Sequence, residues 1–229
     1  MNTPTQLPDF NKVVERLRKP AKTLIIQPDG PDGDSVSTII GLGLALEKIG
    51  HKVTMSTIEE IPRSLRFLPF IGRFRTQPPL KEHDLVIGVD MGEFNRTAYF
   101  EDLKQQPSAP DSKHFRFTIN IDHHPSEDFG DLNLIDPVAP ATTEMVYHIL
   151  KALKIEIDHD IATALLTGLV TDTGCFQHAN TSSRAYRLAG ECVRAGARMP
   201  KIMRHTFHNK NLNQLKLWGG DGLRSSAIE

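Results

Sequence analysis

The sequence predicts an α/β fold, a doubly wound parallel sheet with helices on both faces. Two observations support this fold class. Short apolar runs alternate with longer segments in which apolar residues recur at helical spacing. This order is typical of a parallel sheet covered by helices. Several of these runs end in acidic or histidine-containing turns, and open α/β folds place their sites at such strand ends. The 229 residues, 39% hydrophobic and 24% charged, suffice for one sizeable domain with at most a small appendage.

The first half of the chain is predicted to run strand, helix, strand. Residues 23–27 are a short apolar run that leads into an acidic turn, and residues 35–49 have apolar side chains at helical spacing before Gly50. Residues 52–57 resume a strand pattern. The stretch 62–74 is predicted to be helical and irregular.

The second half is predicted to add three strands and three helices. Residues 84–90 and 114–122 are typical of buried strands, and residues 132–135 of a short edge strand. Helices are expected at 142–153, 161–170 and 183–195. A linker is expected around Met199 and Pro200.

Thr142 and Glu144 are expected to serve the start of their helix. A threonine at this position is placed to cap the helix. Glu144, in the first turn, favours the positive end of the helix dipole. We therefore prefer a capping role over catalysis for Glu144.

Asp122, His123 and His124 are the most informative residues of the chain. They follow the β-branched run 117–121 and precede Pro125. Because a strand that stops at a proline leaves its last polar side chains at the carboxyl end of the sheet, these residues are predicted to belong to a site.

Three other apolar runs also end in acidic turns, and we group them with the strand ends. Asp32 and Asp34 follow the first run and Asp90 follows the run 84–89. Asp172 follows residues 161–170, which are also predicted to be helical. Four segments therefore bring carboxylate or imidazole groups to what is expected to be one rim.

Gly33 lies between two of these acids and has two interpretations. A glycine there lets the backbone turn tightly enough for both carboxylates to face inward. Asp-Gly pairs are also common turn formers without any chemistry. The matching positions of Asp90, His123 and Asp172 favour the first interpretation.

The side-chain types at this rim indicate a metal site. Aspartates with one or two histidines and no cysteine suit a hard or borderline divalent ion, manganese or magnesium ahead of zinc. Several carboxylates cannot share a small volume at neutral pH without cations. Enough acids for two ions indicates a two-metal phosphoryl hydrolase.

Five segments occur in the order found in DHH phosphoesterases. They are Pro-Asp-Gly-Asp-Ser at 31–35, Val-Asp-Met-Gly at 89–92, Asp-His-His-Pro-Ser at 122–126, Asn-Leu-Ile-Asp-Pro at 133–137 and Gly-Leu-Val-Thr-Asp-Thr-Gly at 168–174. The chain resembles this family from about Thr23 to about Trp218. It is most similar to the RecJ-like branch that includes nanoRNases and pAp phosphatases.

The resemblance implies a ligand set for two Mn²⁺ ions, with Mg²⁺ as an alternative. Asp32 and Asp34 would bind one ion each, and Asp90 would bridge the pair. His123 and Asp172 would complete the shell of the second ion.

The resemblance also implies roles beside the metals. Asp122 would orient a neighbouring imidazole, as such carboxylates commonly do, and His124 would face the scissile phosphate. Arg96, six residues after Asp90, is a candidate substrate contact because a guanidinium can hold a phosphate bidentately. An ordinary surface arginine is the alternative.

The chain departs from the family pattern in two places. The usual metal-binding histidine, four residues before the first aspartate of the motif, is replaced by Pro28. Either Asp29 substitutes as an oxygen ligand or the loop has slipped in register. No Gly-Gly-Gly-His string of a second domain occurs. We therefore expect a DHH domain at 1–198, then a basic helical linker and tail at 199–229, without the substrate-binding domain.

The basic residues are unevenly distributed. Residues 181–229 carry nine Lys or Arg and three Asp or Glu, whereas the whole chain has a net charge of −1. Bases gathered downstream of an acidic metal site would suit a phosphate-bearing ligand. A solvated helix face is an equally good interpretation; it would comprise Arg184, Arg187, Arg194 and Arg198.

The leading functional hypothesis is a two-metal phosphoesterase that hydrolyses short oligoribonucleotides or small nucleotides such as pAp. The alternatives are a pyrophosphatase or exopolyphosphatase, or a nucleotide-binding protein that has lost turnover. A cytoplasmic location is expected, because no apolar run approaches the length that spans a bilayer and residues 1–9 are polar. Relatives often form dimers, so a homodimer remains open.

Overall fold

The protein is built on a six-stranded parallel sheet. The computed structural model describes residues 4–105, 116–125 and 128–208. The strand order is β3-β2-β1-β4-β5-β6, and every neighbouring pair is parallel. The strands are β1 Lys22–Ile26, β2 Lys52–Thr57, β3 Arg75–Thr76, β4 Leu85–Val89, β5 Phe117–Asp122 and β6 Leu132–Ile135.

The strand order reverses between β1 and β4. The chain moves from β1 towards one edge of the sheet and then returns to build the other half from β4, so a crevice opens at the carboxyl ends of these two strands. The register keeps the ends level, since Ile26 pairs with Gly88 and Val89 with Ile121. Residues that follow β1, β4 and β5 therefore emerge side by side.

In the described part of the chain, seven α-helices cover the sheet. They are α1 Phe10–Leu17, α2 Gly33–Lys48, α3 Phe100–Lys104, α4 Thr142–Ala152, α5 His159–Asp172, α6 Ser183–Arg194 and α7 Met199–Met203. Short 3-10 turns lie at Pro4–Gln6, Arg63–Leu65, Ile71–Arg73, Leu80–Glu82 and Phe94–Arg96, and a π-helical turn at Arg204–His208. Among the helices of the described part, none is long and apolar enough to cross a bilayer.

The two faces of the sheet bury cores of different size. Ile25 of β1 belongs to the larger core, in which α2 and α5 pack against each other. Leu24 and Ile26 point the other way, into a smaller core completed by Tyr99 and Leu103. This alternation along β1 is what a strand buried on both faces requires. The predicted fold class is confirmed.

Most predicted elements lie within two residues of their observed bounds. The irregular stretch 62–74 contains two 3-10 turns, because Pro69 has no N–H to donate and Phe70 adopts a left-handed backbone with φ of 57°. Residues 114 and 115 of the predicted fifth strand lie outside the described residues. The same holds for Trp218 and the rest of the basic tail beyond 208.

The grouping of residues 161–170 with the strand ends is wrong. They lie inside α5, a fourteen-residue helix, and the run is buried all round by α2, α4 and α6. Buried helices and buried strands both appear as continuous apolar runs, so composition could not separate them. Asp172 therefore reaches the site from the end of a helix.

The expected linker region continues the helical structure. Met199 and Pro200 begin α7, and Ile202 within it is fully buried against the larger core. The division of the chain at 198/199 stays a prediction.

Candidate metal centre

Five side chains from four elements meet at the carboxyl edge of β4 and β5. The carboxylates and imidazoles that face one another there are those of Asp34, Asp90, His123, His124 and Asp172. They form two overlapping triads, and within each triad the ligand atoms lie within 4.8 Å of one another. One triad is Asp90, His123 and His124, and the other is Asp34, His123 and Asp172. His123 is common to both.

The His123 ring is held so that one nitrogen faces the acids. Its Nδ1 lies 3.3 Å from the carbonyl oxygen of Ala139. Because a carbonyl only accepts, Nδ1 is assigned the proton and Nε2 keeps its lone pair. Nε2 lies 3.5 Å from Asp90 Oδ1 and 3.6 Å from Asp172 Oδ2, and it is buried without a hydrogen-bond partner among the described residues. A buried lone pair facing carboxylates fits a cation.

Asp34 is fixed by the amino end of a neighbouring helix. It lies in the first turn of α2, only 1% exposed, and accepts hydrogen bonds from the N–H groups of Thr142 at 2.6 Å and Thr143 at 3.2 Å. Burial raises the pKa of Asp34, although His123 and these N–H groups oppose the shift. The first N–H groups of α4 therefore support the charged carboxylate.

Asp90 has an unusual backbone for an aspartate. It follows β4 directly and has a φ of 57°, a left-handed conformation that costs about 1–3 kcal/mol outside glycine. Its N–H donates to Ile121 and its Oδ1 accepts from the Thr142 hydroxyl at 3.1 Å. Burial, and then the nearby charge of Asp34, raise the pKa of Asp90 well above its usual range. An adjacent cation would keep this carboxyl ionised.

Asp172 completes the second triad from the carboxyl end of α5. Burial, followed by the charge of Asp34, raises its pKa to about 6. Asn180 donates to Asp172 Oδ2 at 3.3 Å and also to the backbone oxygen of Pro140 at 3.0 Å. The chain leaves the helix through three consecutive left-handed residues, 174–176, so the position of Asp172 is built into a tight turn.

Asp122 lies behind the triads and orients His124. It is fully buried and accepts from the N–H groups of Gly92 at 2.7 Å and His124 at 2.8 Å, and from His124 Nδ1 at 3.0 Å. Burial alone would raise the pKa of Asp122, but these hydrogen bonds lower it overall, and the same contact raises the pKa of His124.

The contact with Asp122 determines whether His124 is suited to bind a metal ion or to donate a hydrogen bond. Nδ1 is also the His124 nitrogen that lies 3.4 Å from Asp90 Oδ1. Because Nδ1 already donates to Asp122, it is better suited to hydrogen bonding than to metal ligation. The ring is 48% exposed and so remains open to a ligand.

Asp32 lies at the rim and caps α2. Its Oδ1 accepts from the Ser35 N–H at 2.9 Å while its own N–H donates to the Ser35 hydroxyl, so the pair forms a capping box. It belongs to neither triad, but its charge raises the pKa values of Asp34 and Asp90. Oδ2 is the oxygen that the cap leaves for a ligand.

Pro28 and Asp29 lie in the turn before Asp32, and neither belongs to a triad. Pro28 is buried, and Asp29 donates its N–H to the Arg96 carbonyl oxygen at 2.7 Å. Asp29 Oδ1 is buried without a hydrogen-bond partner in the part of the chain that the structure describes, yet Asp29 belongs to neither triad.

Gly33 is required for close packing rather than for a tight turn. Its φ is not positive, but a Cβ would lie 2.2 Å from the Thr171 hydroxyl oxygen of α5. The expected conformational reason was wrong, because the constraint comes from a helix 138 residues further along the chain. Only the packed structure could show it.

Arg96 stands at the rim beside Gly92. It closes the 3-10 turn Phe94–Arg96, and its Nη1 would be 3.5 Å from a Cβ on Gly92, whose N–H binds Asp122. Across residues 4–105, 116–125 and 128–208, no hydrogen bond or ion pair to the Arg96 guanidinium is found. The group is therefore open to an anion.

The expected capping roles of Thr142 and Glu144, and the expected exposure of Arg184, were wrong. Thr142 is the first residue of α4 rather than its cap, which is Ala141, and the Thr142 hydroxyl binds Asp90 instead. Glu144 does not serve a cap, because its carboxylate pairs with Arg184, which is buried and not part of a solvated face. No local pattern marks these residues, since their partners lie tens of residues away.

The sequence and the fold match known proteins. Residues 22–169 match the family model described as DHH family, N-terminal domain. A bifunctional oligoribonuclease and PAP phosphatase NrnA from Thermus thermophilus is 33% identical over 173 residues, 75% of this chain and 49% of the relative. A probable manganese-dependent inorganic pyrophosphatase from Lactobacillus gasseri is 25% identical over 159 residues, 67% of this chain and 48% of the relative. The chain thus spans about half the length of these curated relatives.

A solved structure shows the same fold. An exopolyphosphatase-related protein from Bacteroides fragilis has a TM-score of 0.81 at 21% identity, over 93% of this chain and 64% of that one.

Proposed function

This chain belongs to the DHH family, and from that premise we propose that it is a metal-dependent phosphoesterase acting on short oligoribonucleotides or small nucleotides such as pAp. One observation carries the proposal. Two carboxylate and imidazole triads overlap at His123, whose Nε2 is buried and unpaired within the described ranges. Carboxylate oxygens and an imidazole nitrogen are ligands that suit divalent cations, and no described side chain at the site satisfies the His123 Nε2 lone pair.

The proposed ligands are the members of the two triads other than His124, together with the rim acid Asp32. Asp34, Asp90, His123 and Asp172 would bind directly, and Asp32 would contribute Oδ2. Two bound Mn²⁺ ions, or Mg²⁺, would neutralise the acids and polarise the phosphoryl oxygens of a substrate.

The protein's own side chains would orient the phosphate. Asp122 holds the His124 ring through Nδ1, which leaves the exposed edge of the ring to donate a hydrogen bond to a phosphate oxygen. Arg96 would hold the other side of the anion as a bidentate donor. The Thr142 hydroxyl keeps Asp90 in place.

The relatives support the choice of substrate class. The 33% identical relative is described as an oligoribonuclease and PAP phosphatase. Because this chain spans about half of that protein, the preferred nucleotide, the oligomeric state and the cytoplasmic location stay predictions.

A pyrophosphatase or exopolyphosphatase activity is the second candidate. It is favoured by the 25% identical relative that is described as a probable manganese-dependent inorganic pyrophosphatase. The third candidate, ligand binding without turnover, is favoured by Pro28, because proline offers no side-chain ligand where the family has a histidine.

One assay separates the three candidates. The purified chain is incubated with pAp, a diribonucleotide or pyrophosphate, each with Mn²⁺, with Mg²⁺ or with EDTA. We expect Mn²⁺-dependent release of phosphate or mononucleotide that Asp90→Ala abolishes, while Asp102→Ala, at an exposed acid on α3, leaves it intact. Turnover that survives EDTA or Asp90→Ala would refute the metal mechanism. Turnover of pyrophosphate alone would favour the second candidate, and nucleotide binding without turnover the third.

A further inference from the structure

A buried arginine connects two buried acids, Asp136 and Glu144. Arg184 of α6 is 5% exposed. Its Nε donates to Glu144 Oε1 at 2.8 Å and its Nη2 to Glu144 Oε2 at 2.5 Å, a bidentate contact. Nη2 also donates to Asp136 Oδ2 at 2.7 Å. His148 Nε2 lies 3.1 Å from Glu144 Oε1 and completes the group.

The two acids mark the ends of one short segment. Asp136 follows β6, where its N–H continues the sheet by donating to the Asp122 carbonyl oxygen. Glu144 lies in the first turn of α4. One guanidinium therefore fixes both ends of residues 136–144, which we call the support segment.

The backbone of the support segment contacts two of the proposed metal ligands, His123 and Asp34. The carbonyl oxygen of Ala139 accepts from His123 Nδ1. The N–H groups of Thr142 and Thr143 donate to Asp34.

Further contacts extend this support to Asp90 and Asp172. The Thr142 hydroxyl donates to Asp90, and the Pro140 carbonyl oxygen accepts from Asn180, which also donates to Asp172. Every member of the two triads except His124 is thus held, directly or through one residue, by the support segment.

We propose that Arg184 is a positioning residue for the metal centre, which acts by holding the support segment against His123, Asp34 and Asp90. The inference rests on the proposed function, because it assumes that these side chains bind divalent cations. Within the described residues, the Arg184 guanidinium binds Glu144 and Asp136, neither of which is a proposed metal ligand. Its effect passes through Asp136 and Glu144, which are buried and need its charge.

Arg184→Lys is the main test. Lysine keeps the positive charge, but its single ammonium cannot reproduce the bidentate contact with Glu144 and the contact with Asp136 together. Arg187→Lys is the matched control, because Arg187 lies on the same helix, is exposed and, within the described residues, donates its side-chain hydrogen bonds to Ser183. Asp136→Asn is a second variant that keeps the Arg184–Glu144 pair.

Affinity for Mn²⁺ is measured by isothermal titration calorimetry on the full chain, well below the melting temperature of each variant. We expect Arg184→Lys to raise the Mn²⁺ Kd by about tenfold or more, as loss of outer support commonly does. Asp136→Asn should shift it in the same direction by less, and Arg187→Lys should leave it unchanged. At sub-saturating Mn²⁺, kcat should fall more than KM rises, and added Mn²⁺ should restore part of the rate.

The outcomes distinguish this inference from the proposed function. If Arg184→Lys lowers the melting temperature but keeps the Kd for Mn²⁺ and kcat, Arg184 is only structural and the inference fails. If the wild-type chain binds Mn²⁺ and loses affinity in the variant but hydrolyses no tested substrate, the proposed substrates fail and the positioning role stands. A wild-type chain that binds no Mn²⁺ would refute both.

Discussion

Replacing Gly168 with alanine tests the packing that places Asp34. Gly168 lies inside α5, where α5 crosses the amino end of α4. An added Cβ would lie 2.5 Å from Thr143 Cγ2 and 2.6 Å from Asp34 Oδ1, both far inside van der Waals contact. Both residues are buried, and the Thr143 N–H donates to Asp34 Oδ1 at 3.2 Å, so a shift of either residue would disturb the contact between them.

Two opposing effects set the size of the change. Alanine is a better helix former than glycine by about 1 kcal/mol. Overpacking a well-filled interior costs about 1–3 kcal/mol or more. Since two buried neighbours must move, we expect overpacking to win and the free energy of unfolding to fall by about 1–2 kcal/mol. The displaced Asp34 should also weaken Mn²⁺ binding.

Urea unfolding without metal measures the stability, and calorimetric titration with Mn²⁺ measures the affinity. Gly190→Ala is the matched control, because Gly190 lies inside α6 and a Cβ there would meet nothing within 4 Å. That variant should gain about 0.5–1 kcal/mol. Adding Thr143→Ser to Gly168→Ala removes the Cγ2 contact, so part of the stability should return while the Mn²⁺ affinity stays low. A Gly168→Ala protein as stable as Gly190→Ala, with wild-type Mn²⁺ affinity, would refute this reasoning.

Three further predictions concern the metal, Asp122 and pH. Mn²⁺ at 100 times its Kd should stabilise the wild-type chain by about 2.7 kcal/mol in thermal or urea unfolding. The Asp90→Ala variant should lose this gain. Equal stability of the wild-type chain with and without Mn²⁺ would contradict the metal site. Asp122→Asn should lower kcat for pAp about 10–100-fold at saturating Mn²⁺, because His124 loses its carboxylate acceptor, and an unchanged kcat would exclude that role. His51 is buried between the Thr23 hydroxyl and the Leu17 carbonyl oxygen, and burial lowers its pKa below 6.5. The unfolded chain therefore takes up this proton first, so stability is fully present above about pH 6.5 and falls as the pH drops. Urea unfolding at pH 5.5 and 7.5 should show a smaller difference for His51→Gln than for wild type, and an equal difference would contradict the assignment.

Much of the fold could be predicted from the sequence because hydrophobic periodicity is local. The run 52–57 was predicted with its observed bounds, and the strand ends put Asp90 and Asp122 at one edge of the sheet. The order of motifs then indicated which acids and histidines would meet. These inferences need only residues that are neighbours along the chain, together with the rule that parallel strands end at the same edge.

The supports of the site could not be predicted because they join distant residues. Asp34 is held by Thr142, 108 residues away, and Glu144 by Arg184, 40 residues away. From its neighbours in the sequence, Glu144 was predicted to have a capping role, because its charge suits the helix dipole. Its partner in the structure, Arg184, could not be identified from the sequence. The same holds for Gly33, whose constraint comes from α5.

The sequence by itself determined the α/β class, the strand edges and the set of acids and imidazoles that we propose as a metal centre. Only the tertiary structure decided that Asp172 arrives from a helix, that His123 turns Nε2 towards the acids, and that Arg184 fixes the segment that holds them. Secondary structure follows from side chains within a few residues, whereas the direction of a buried polar group depends on which remote donor or acceptor packing brings to it.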